Sequence, residues 1–376
     1  MSSTDQSSLA ERLRERIRRT PSRAISFRDW MAAALYDERD GYYCRAGRKR
    51  WGRAARGGDY RTSPERSPLF AATFAHHFAT LYAELGSPTQ WTILEAGAGA
   101  GDFARVALET LERVHPRVFH ATRYCIAEIS PDARARAHEN LAAFADRIEF
   151  YEHNWGGLSF EQGLIFSNEL LDAFPVHRVL MREGRLRELC VGLNDAGDFV
   201  WSEQEPATAQ LAEHFERSGV ALAEGHVAEV NLTAEDWITG AASALRRGYV
   251  ITVDYGAEAA ELFQTPERAG GTLRGFRAHE FVADVLSQPG EHDLTTTINW
   301  TALIRAGEAA GLDMVMLERQ DEFLLRAGAL DQLERLTARA STEAERLQLR
   351  LGAREMILPG GMSGSFQVLV QKKREA

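Results

Sequence analysis

The chain has 376 residues, of which 44% are hydrophobic, and a formal net charge of −10. This size allows one large core or two smaller ones. No apolar run reaches the roughly 20 residues that a membrane helix needs, and the N-terminus lacks the apolar segment of a signal peptide. The three cysteines are far apart, which argues against a disulfide framework or a zinc site. We therefore expect a soluble cytoplasmic protein without a membrane partner.

Positive charge is concentrated at the start of the chain. Residues 1–61 carry 15 Lys or Arg against 8 Asp or Glu, so the remainder carries −17. The Arg-rich segment 48–56 has the composition of a nucleic-acid contact, but the acidic remainder would repel phosphate, and we interpret the segment as a solvated loop. All cations but three are Arg, which is typical of GC-rich bacterial genomes. No nucleic-acid partner is expected.

The first part of the chain predicts helices. A charged helix is expected over 9–19, a more apolar helix over 27–35, and a loop rich in Gly and Arg over 44–58. Ser63, Pro64 and Glu65 have the pattern of an N-cap, a proline at the first helical position and an acid in the first turn. A helix is therefore expected from there to about residue 85.

Short apolar strands alternating with helices follow, which predicts an α/β fold with a parallel sheet covered on both faces. An antiparallel insertion is expected over 177–201, around a turn at 194–195, and a polar, Gly-rich insertion over 257–298. The predicted sheet strands are 91–95, 124–129, 148–151, 164–166, 249–254, 314–318 and 366–371, and the predicted helices are 103–114, 131–143, a helix starting at 169–174, and 323–355.

A glycine-rich turn, residues 95–101 (EAGAGAG), follows the first of these strands. A Walker loop would need Gly-Lys-Ser/Thr, which is absent. A dinucleotide fingerprint places its third glycine three residues after the second, whereas here the glycines are Gly97, Gly99 and Gly101. Asp102 would also put a carboxylate where a pyrophosphate would lie. The pattern therefore disfavours both nucleotide classes.

A cationic ligand without phosphate fits this turn better. S-adenosylmethionine (SAM) carries an ammonium and a sulfonium group, and Glu95 can bind the ammonium while the glycines let the ligand approach the backbone. Glu128, at the end of the second predicted strand, can accept both ribose hydroxyls, each bond contributing roughly 1.5–3 kcal/mol. The alternative is a tight strand–helix turn with a surface acid. The sequence predicts a SAM site.

The end of the fourth strand carries candidate acceptor residues. Glu169 can bind a guanidinium through both oxygens, and Asp172, predicted one helical turn later, supplies a second carboxylate. Asn168 lies beside them. The alternative is that Ser167 or Asn168 caps a helix and Glu169 complements its dipole. The two roles are compatible.

These segments together resemble the MidA-like family of SAM-dependent methyltransferases. The resemblance covers nearly the whole chain in matching order. The matching segments are residues 25–31, 34–37, 41–43, 58–60, 62–65, 95–101, 127–131, 168–169, 172–176, 254–256, 293–295, 323–324 and 358–359.

The resemblance implies a class I SAM-methyltransferase fold, with a Rossmann-like sheet, an N-terminal helical cover over 1–85, and a catalytic domain over 86–376 with insertions near 177–240 and 257–298. It implies SAM as cofactor and, as the family's best-understood activity, symmetric dimethylation of a protein arginine. The implied catalytic residues are Asn168, Glu169 and Asp172. The cofactor-binding candidates are Glu95, Gly97, Ala98, Gly99, Gly101, Glu128, Ile129, Asn154 and Trp155. The cover or substrate-side candidates are Tyr42, Tyr43, Asp59, Thr62, Glu65, His292 and Asp293.

The chain departs from the family pattern at 296–298, 320–322 and 362–367, which are regions expected to face the acceptor. The acceptor is therefore a protein arginine or, alternatively, a small molecule methylated on nitrogen or oxygen. A non-catalytic SAM-binding assembly factor is the third interpretation. The oligomeric state is left open, with a homodimer as one option. The adjacent His76 and His77 must point in different directions on a helix, so no metal site is expected there.

Overall fold

A computed structural model describes residues 7–45, 67–151, 158–277, 280–358 and 362–375. The chain divides into two compact units. The parallel-sheet unit comprises Lys49–Leu170, Ile238–Gly256 and Gly307–Ala376, and the antiparallel unit comprises Met1–Arg48, Leu171–Trp237 and Ala257–Ala306. Within the described ranges, no helix combines the length and apolar character needed to cross a membrane.

The bounds of the described elements are as follows. The strands are β1 Ala24–Ser26, β2 Trp91–Ala96, β3 Thr122–Ala127, β4 Ile148–Tyr151, β5 Gly163–Asn168, β6 His177–Arg182, β7 Arg185–Leu193, β8 Phe199–Gln204, β9 Val227–Val230, β10 Gly248–Ala257, β11 Arg274–Arg277, β12 Glu280–Phe281, β13 Asp293–Thr295, β14 Ile298–Asn299, β15 Leu312–Arg319 and β16 Phe366–Lys373. The α-helices are α1 Leu9–Arg19, α2 Phe27–Tyr36, α3 Pro68–Glu84, α4 Asp102–Val114, α5 Pro116–Ala121, α6 Pro131–Asn140, α7 Gln210–Ser218, α8 Leu232–Ala244, α9 Ala259–Gln264, α10 Trp300–Ala309, α11 Gln320–Arg326, α12 Ala329–Arg339 and α13 Glu343–Ile357.

The sheet of the parallel-sheet unit follows the path β15-β16-β10-β5-β2-β3-β4. The run from β10 to β4 is parallel, and β16 is antiparallel to both β10 and β15. Ala96 is in register with Ala127 of β3 and with Ser167 of β5. The carboxyl ends of β2, β3 and β5 therefore meet at one edge of the sheet, which confirms the predicted α/β class. The strand order brings the candidate segments together.

Buried aromatic side chains form the core of this unit. The rings of Phe103 on α4 and Phe166 on β5 stack with their centroids 4.4 Å apart, and Phe74 on α3 lies 5.2 Å from Phe166 and 4.9 Å from Phe323. All four side chains are buried. Burial of one such side chain contributes about 1.5–3 kcal/mol, so this cluster holds α3 and α4 firmly against the sheet.

The antiparallel unit contains the sheet β1-β7-β6-β9, with β8 beside β7, and the smaller sheet β12-β11-β13. The hairpin between β7 and β8 closes at Asn194, whose N–H donates to the Asp198 carbonyl at 3.0 Å. This confirms the antiparallel strands predicted over 177–201. The fully buried Phe27 and Trp30 of α2 belong to a core that includes Val191 of β7.

Two predicted element ends are wrong near the glycine-rich turn. The second parallel strand ends at Ala127 rather than at residue 129, because the Glu128 carboxylate folds back and accepts the Ser130 N–H, and Ser130 then caps α6. The helix predicted to start over 169–174 is a single 3-10 turn, Leu171–Ala173. Glu169 has a left-handed φ of 50° and Pro175 cannot donate a helical hydrogen bond, so an α-helix cannot form there.

Two helix boundaries also differ from the prediction. Helix α3 begins at Pro68 with Ser67 as its N-cap, four residues after the predicted Ser63-Pro64 start, and residues 63–65 lie outside the described ranges. The helical stretch predicted over 323–355 consists of α11, α12 and α13. Gly328, with a φ of 89°, separates the first two, and Thr342 starts the third with a capping box.

Candidate functional site

The turn after β2 is built from residues that adopt left-handed backbone conformations. Gly97, Gly99 and Gly101 have φ values of 72°, 54° and 77°. A residue with a side chain would lose roughly 1–2 kcal/mol in each of these conformations, so the three glycines are required by the backbone path. The Gly97 N–H donates to the Ala127 carbonyl at 2.8 Å, which ties the turn to the end of β3.

The turn also leaves no space for side chains at two of these positions. A Cβ atom on Gly97 would lie 2.9 Å from Cδ1 of Leu170, and one on Gly101 would lie 2.9 Å from Cδ1 of Leu141. Asn140 fixes the turn from the other side, since its Nδ2 donates to the Ala100 carbonyl at 2.9 Å. The backbone of the turn is therefore packed tightly and held in one conformation.

Glu128 lies directly against this turn. Its Oε2 accepts the Gly99 N–H and its Oε1 accepts the Ser130 N–H, both at 2.8 Å, and the side chain is buried. Burial raises the pKa of the Glu128 carboxyl, while backbone hydrogen bonds from Ser130, Gly99 and Ile129 oppose that rise. Because each carboxylate oxygen has two lone pairs, the group can still accept two hydroxyl donors from a ligand.

Glu95, the last polar residue of β2, is the second buried carboxyl at this edge. Its Oε2 accepts the Tyr124 hydroxyl at 2.6 Å. Burial raises the pKa of Glu95 to about 8, the Tyr124 hydrogen bond lowers it, and repulsion from Glu128 and Asp102 raises it again. A cation arriving next to Glu95 would offset the burial cost of the ionised form.

The charges at this edge favour some ligands and disfavour others. Asp102 is the first residue of α4, the position that a phosphate would occupy at a helix N-terminus. Together with Glu95 and Glu128 it makes the surroundings of the turn acidic. The geometry therefore suits a cation with sugar hydroxyls and is unfavourable for a phosphate group. SAM has these groups, so the residues present fit it.

The end of β5 carries a strained residue. Glu169 adopts a left-handed φ of 50°, and its N–H donates to the Val253 carbonyl at 2.9 Å. Asn168 Nδ2 donates to Glu169 Oε1 at 3.1 Å, whereas Asn168 Oδ1 is buried without a hydrogen-bond partner among the described residues. Such strain costs on the order of 1–3 kcal/mol and is common at functional sites. Leu170 connects this segment to Gly97, so the glycine-rich turn, Asn168 and Glu169 lie together in the parallel-sheet unit.

Asp172 and several cover candidates belong to the antiparallel unit. Asp172 is buried, and its carbonyl accepts the Thr296 N–H at 2.9 Å. Tyr43 donates its hydroxyl proton to Asp293 Oδ1 at 2.8 Å, and the Asp293 side chain is buried. Tyr42 lies in the apolar core of this unit, with its ring 5.1 Å from that of Tyr43.

The candidate histidines His292, His76 and His77 contact other groups of the protein. His292 is buried with Nε2 3.1 Å from the Val285 carbonyl, a contact that assigns the proton to Nε2 and leaves only Nδ1 able to accept another. Burial lowers the pKa of His292. On α3, His76 contacts His115 and His77 packs edge-on against Phe323, so the adjacent rings point to different neighbours.

Five predicted site residues lie outside the described ranges, namely Asp59, Thr62, Glu65, Asn154 and Trp155.

The site also contains residues that the sequence interpretation missed. Tyr124 holds the Glu95 carboxyl, and a tyrosine in an otherwise apolar buried strand was the available signal. Leu170 packs on Gly97, and its apolar side chain gave no signal of this contact.

Comparisons with known proteins agree with this chemistry. A family model described as an S-adenosyl-L-methionine-dependent methyltransferase matches residues 73–317. A mitochondrial protein arginine methyltransferase homologue (NDUFAF7) of Drosophila melanogaster is 25% identical, over 96% of this chain and 84% of its own length. The human mitochondrial protein is 24% identical, over 91% and 78%.

Two solved structures are also similar. One is the crystal structure of a Burkholderia thailandensis protein bound to S-adenosyl-homocysteine. It has a TM-score of 0.86 and 31% identity, and the match covers 97% of this chain and 92% of its own. A native crystal structure from the same organism has a TM-score of 0.83 and 30% identity, covering 98% and 91%. The chain therefore shares its fold with these two Burkholderia thailandensis proteins, one of which has S-adenosyl-homocysteine bound.

Proposed function

Since the chain belongs to the S-adenosyl-L-methionine-dependent methyltransferase family, we propose that it methylates a nitrogen atom, and that this nitrogen belongs to an arginine guanidinium of a protein. When bound, SAM supplies an electrophilic methyl group on a sulfonium. The residues of this chain have three tasks, which are to hold the donor, to orient the acceptor nitrogen and to accept its protons. The free cysteines among the described residues are compatible with action in a reducing compartment such as the cytoplasm.

The donor is held in the parallel-sheet unit. Glu128 accepts the ribose hydroxyls with the lone pairs that Gly99 and Ser130 leave unused. Glu95 binds the ammonium group in its ionised form. Gly97 and Gly99 allow the ligand to approach the backbone where a Cβ atom would interfere. Ala98, Gly101, Ile129, Asn154 and Trp155 remain candidates for further donor contacts.

The acceptor site is proposed to form at Asn168 and Glu169. The observation that carries this proposal is the buried Asn168 Oδ1 without a partner in the described part of the chain, next to a carboxylate on a strained backbone. Both groups accept hydrogen bonds, so they fit a guanidinium, which has only donors. Glu169 would hold two N–H groups and concentrate electron density on the remaining nitrogen. Asp172, a residue of the antiparallel unit, stays the sequence-based candidate for a second carboxylate.

The similar proteins from Drosophila melanogaster and Homo sapiens are named protein arginine methyltransferases, which supports arginine as the acceptor. The positions at which this chain departs from the family pattern support a second candidate acceptor. A small molecule methylated on nitrogen or oxygen would be favoured by the departures from the family pattern at 296–298, 320–322 and 362–367. The sequence-based proposal of an N-terminal cover is kept for residues 1–85. Its candidate residues are Tyr42, Tyr43, Asp59, Thr62, Glu65, His292 and Asp293.

The experiment uses SAM carrying a labelled methyl group. The purified chain is incubated with a lysate of a strain that lacks it, and the label is followed into protein and metabolite fractions. Label in arginine of a protein band is expected, and Glu169→Gln should abolish it while leaving SAM binding intact. Label in metabolites only would refute the protein substrate. Donor binding without any transfer would support the non-catalytic alternative.

A further inference from the structure

Two buried hydroxyl groups lie side by side on neighbouring strands of the parallel-sheet unit. Ser167 on β5 is in register with Thr252 on β10, and the two residues are 0% and 1% exposed. Neither Ser167 Oγ nor Thr252 Oγ1 has a hydrogen-bond partner among the described residues. A buried hydroxyl without a partner loses its hydrogen bonds to solvent with nothing in return, so such groups are rare in folded proteins. Two of them at adjacent positions indicate a shared polar ligand.

The neighbouring side chains on this face of the sheet are apolar. Ala96 of β2 is in register with Ser167, and Leu369 of β16 is in register with Thr252, so the two hydroxyls lie between two apolar side chains. Ile165, which shares the face because it lies two residues before Ser167 on β5, is apolar and fully buried. The two hydroxyls therefore form a polar pair within an apolar layer of the sheet.

We propose that Ser167 and Thr252 bind one water molecule between them, and that this bridge positions Glu169. Neighbouring strands lie about 4.8 Å apart, and a water molecule with normal hydrogen bonds of about 2.8 Å can join two oxygens up to about 5.5 Å apart. One water satisfies both hydroxyls, because each can donate one hydrogen bond and accept others. Two polar partners are the minimum that a buried water needs, and the small side chains of Ala96 and Ser167 fill less of this layer than branched residues would.

The bridge lies next to the strained residue of the proposed acceptor site. Glu169 follows Ser167 by two residues, and its N–H donates to the carbonyl of Val253, the residue after Thr252. Its left-handed φ of 50° requires surrounding structure that holds it, as strained backbone generally does. A water that ties β5 to β10 immediately before this hydrogen bond restrains both strands there. Ser167 and Thr252 are therefore positioning residues, a role that rests on the proposed function of Glu169.

The first test does not depend on activity. A high-resolution crystal structure of the full chain should show an ordered water within about 3 Å of both hydroxyl oxygens. In urea unfolding, Ser167→Ala and Thr252→Val should each raise the unfolding equilibrium constant about tenfold, and the double variant about tenfold rather than about a hundredfold, because all three lose the same bridge. A direct hydrogen bond between the two hydroxyls, no water between them, or single variants as stable as the wild type would overturn the proposal.

The second test measures methyl transfer from labelled SAM to the protein fraction of the lysate described above. Thr252→Val should lower the transfer rate about tenfold and change the donor Kd less than twofold, since β10 is not a neighbour of β2, which carries the glycine-rich turn. Thr252→Ser keeps a hydroxyl and should transfer at the wild-type rate.

Thr110→Val is the matched control, because it removes a buried hydroxyl that donates to the Val106 carbonyl within α4, and it should leave the transfer rate unchanged. A wild-type rate in Thr252→Val, or no recovery in Thr252→Ser, would refute the positioning role. A wild-type chain that transfers no methyl group would instead refute the proposed function and the positioning role with it, while the crystal structure and the unfolding measurements still decide the water site.

Discussion

Donor binding should depend on pH through Glu95. Burial raises the pKa of its carboxyl to about 8, so about 90% of the donor-free protein carries a proton there at pH 7. The ammonium group of SAM pairs only with the ionised form. Affinity should therefore rise by roughly 20-fold between about pH 6 and about pH 7.5, and close to one proton should be released per donor bound at pH 7.

The assay is titration calorimetry in two buffers of different ionisation enthalpy, which gives both the affinity and the proton release. Glu95→Gln should abolish most of the pH dependence. Tyr124→Phe should move it to higher pH, because the Tyr124 hydrogen bond lowers the pKa of Glu95. An affinity of the wild type that is constant over this range, or the same slope in Glu95→Gln, would refute the proposed role of Glu95.

The same carboxyl should make the donor-free protein less stable as pH rises. A group whose pKa is raised in the folded state binds its proton more tightly there, so its stabilising effect is complete below the unfolded pKa of 4.5 and is lost as pH rises toward about 8. Thermal unfolding without SAM should therefore show that Glu95→Gln gains stability over the wild type at pH 8, by on the order of a few kcal/mol, and gains little at pH 5.

Two further predictions concern the glycine-rich turn and the acceptor residues. Gly97→Ala should lower SAM affinity about tenfold in calorimetry, because its Cβ would lie 2.9 Å from Leu170, whereas Gly86→Ala, with a similar φ of 84° and no atom within 4 Å, should cost only about 1 kcal/mol of stability in urea unfolding. Equal donor affinities for the two variants would contradict the packing argument. Asn168→Ala should lower kcat about 100-fold while the donor Kd changes less than twofold, as measured by single-turnover transfer and calorimetry. A loss confined to donor binding would remove Asn168 from the acceptor site.

The parallel-sheet unit could be predicted well because its signals are local. The strand over 148–151 matches the observed β4, and β2 and β5 extend the predicted strands by only one or two residues at an end. The glycine-rich turn predicted after the first parallel strand is present, and the structure adds that Gly97, Gly99 and Gly101 have positive φ. Continuous apolar runs between helices are specific to buried parallel strands, so the order of elements determined the fold class.

The errors arose where a tertiary contact decides the local structure. The strand through residue 129 ends early because the Glu128 carboxylate accepts a nearby backbone N–H, which no propensity describes. The segment after Asn168 looked helical, yet Glu169 takes a left-handed conformation and bonds to Val253 of the neighbouring strand. The pKa of Glu95 is likewise set by tertiary contacts, since burial raises it and the hydrogen bond from Tyr124, 29 residues away in sequence, lowers it. Sequence identified the residue types at the site, and the structure supplied their protonation and strain.

The most direct test of the donor site is titration of SAM into the wild-type chain and into Glu128→Ala, with Glu139→Ala on the exposed face of α6 as the control. Thermal unfolding first verifies that all three proteins are folded. We expect Glu128→Ala to bind SAM 10–100-fold more weakly, because one or two charge-assisted hydrogen bonds are lost, and Glu139→Ala to bind as the wild type does. Equal affinities for all three proteins, or no binding by the wild type, would contradict the assignment of this turn as the donor site.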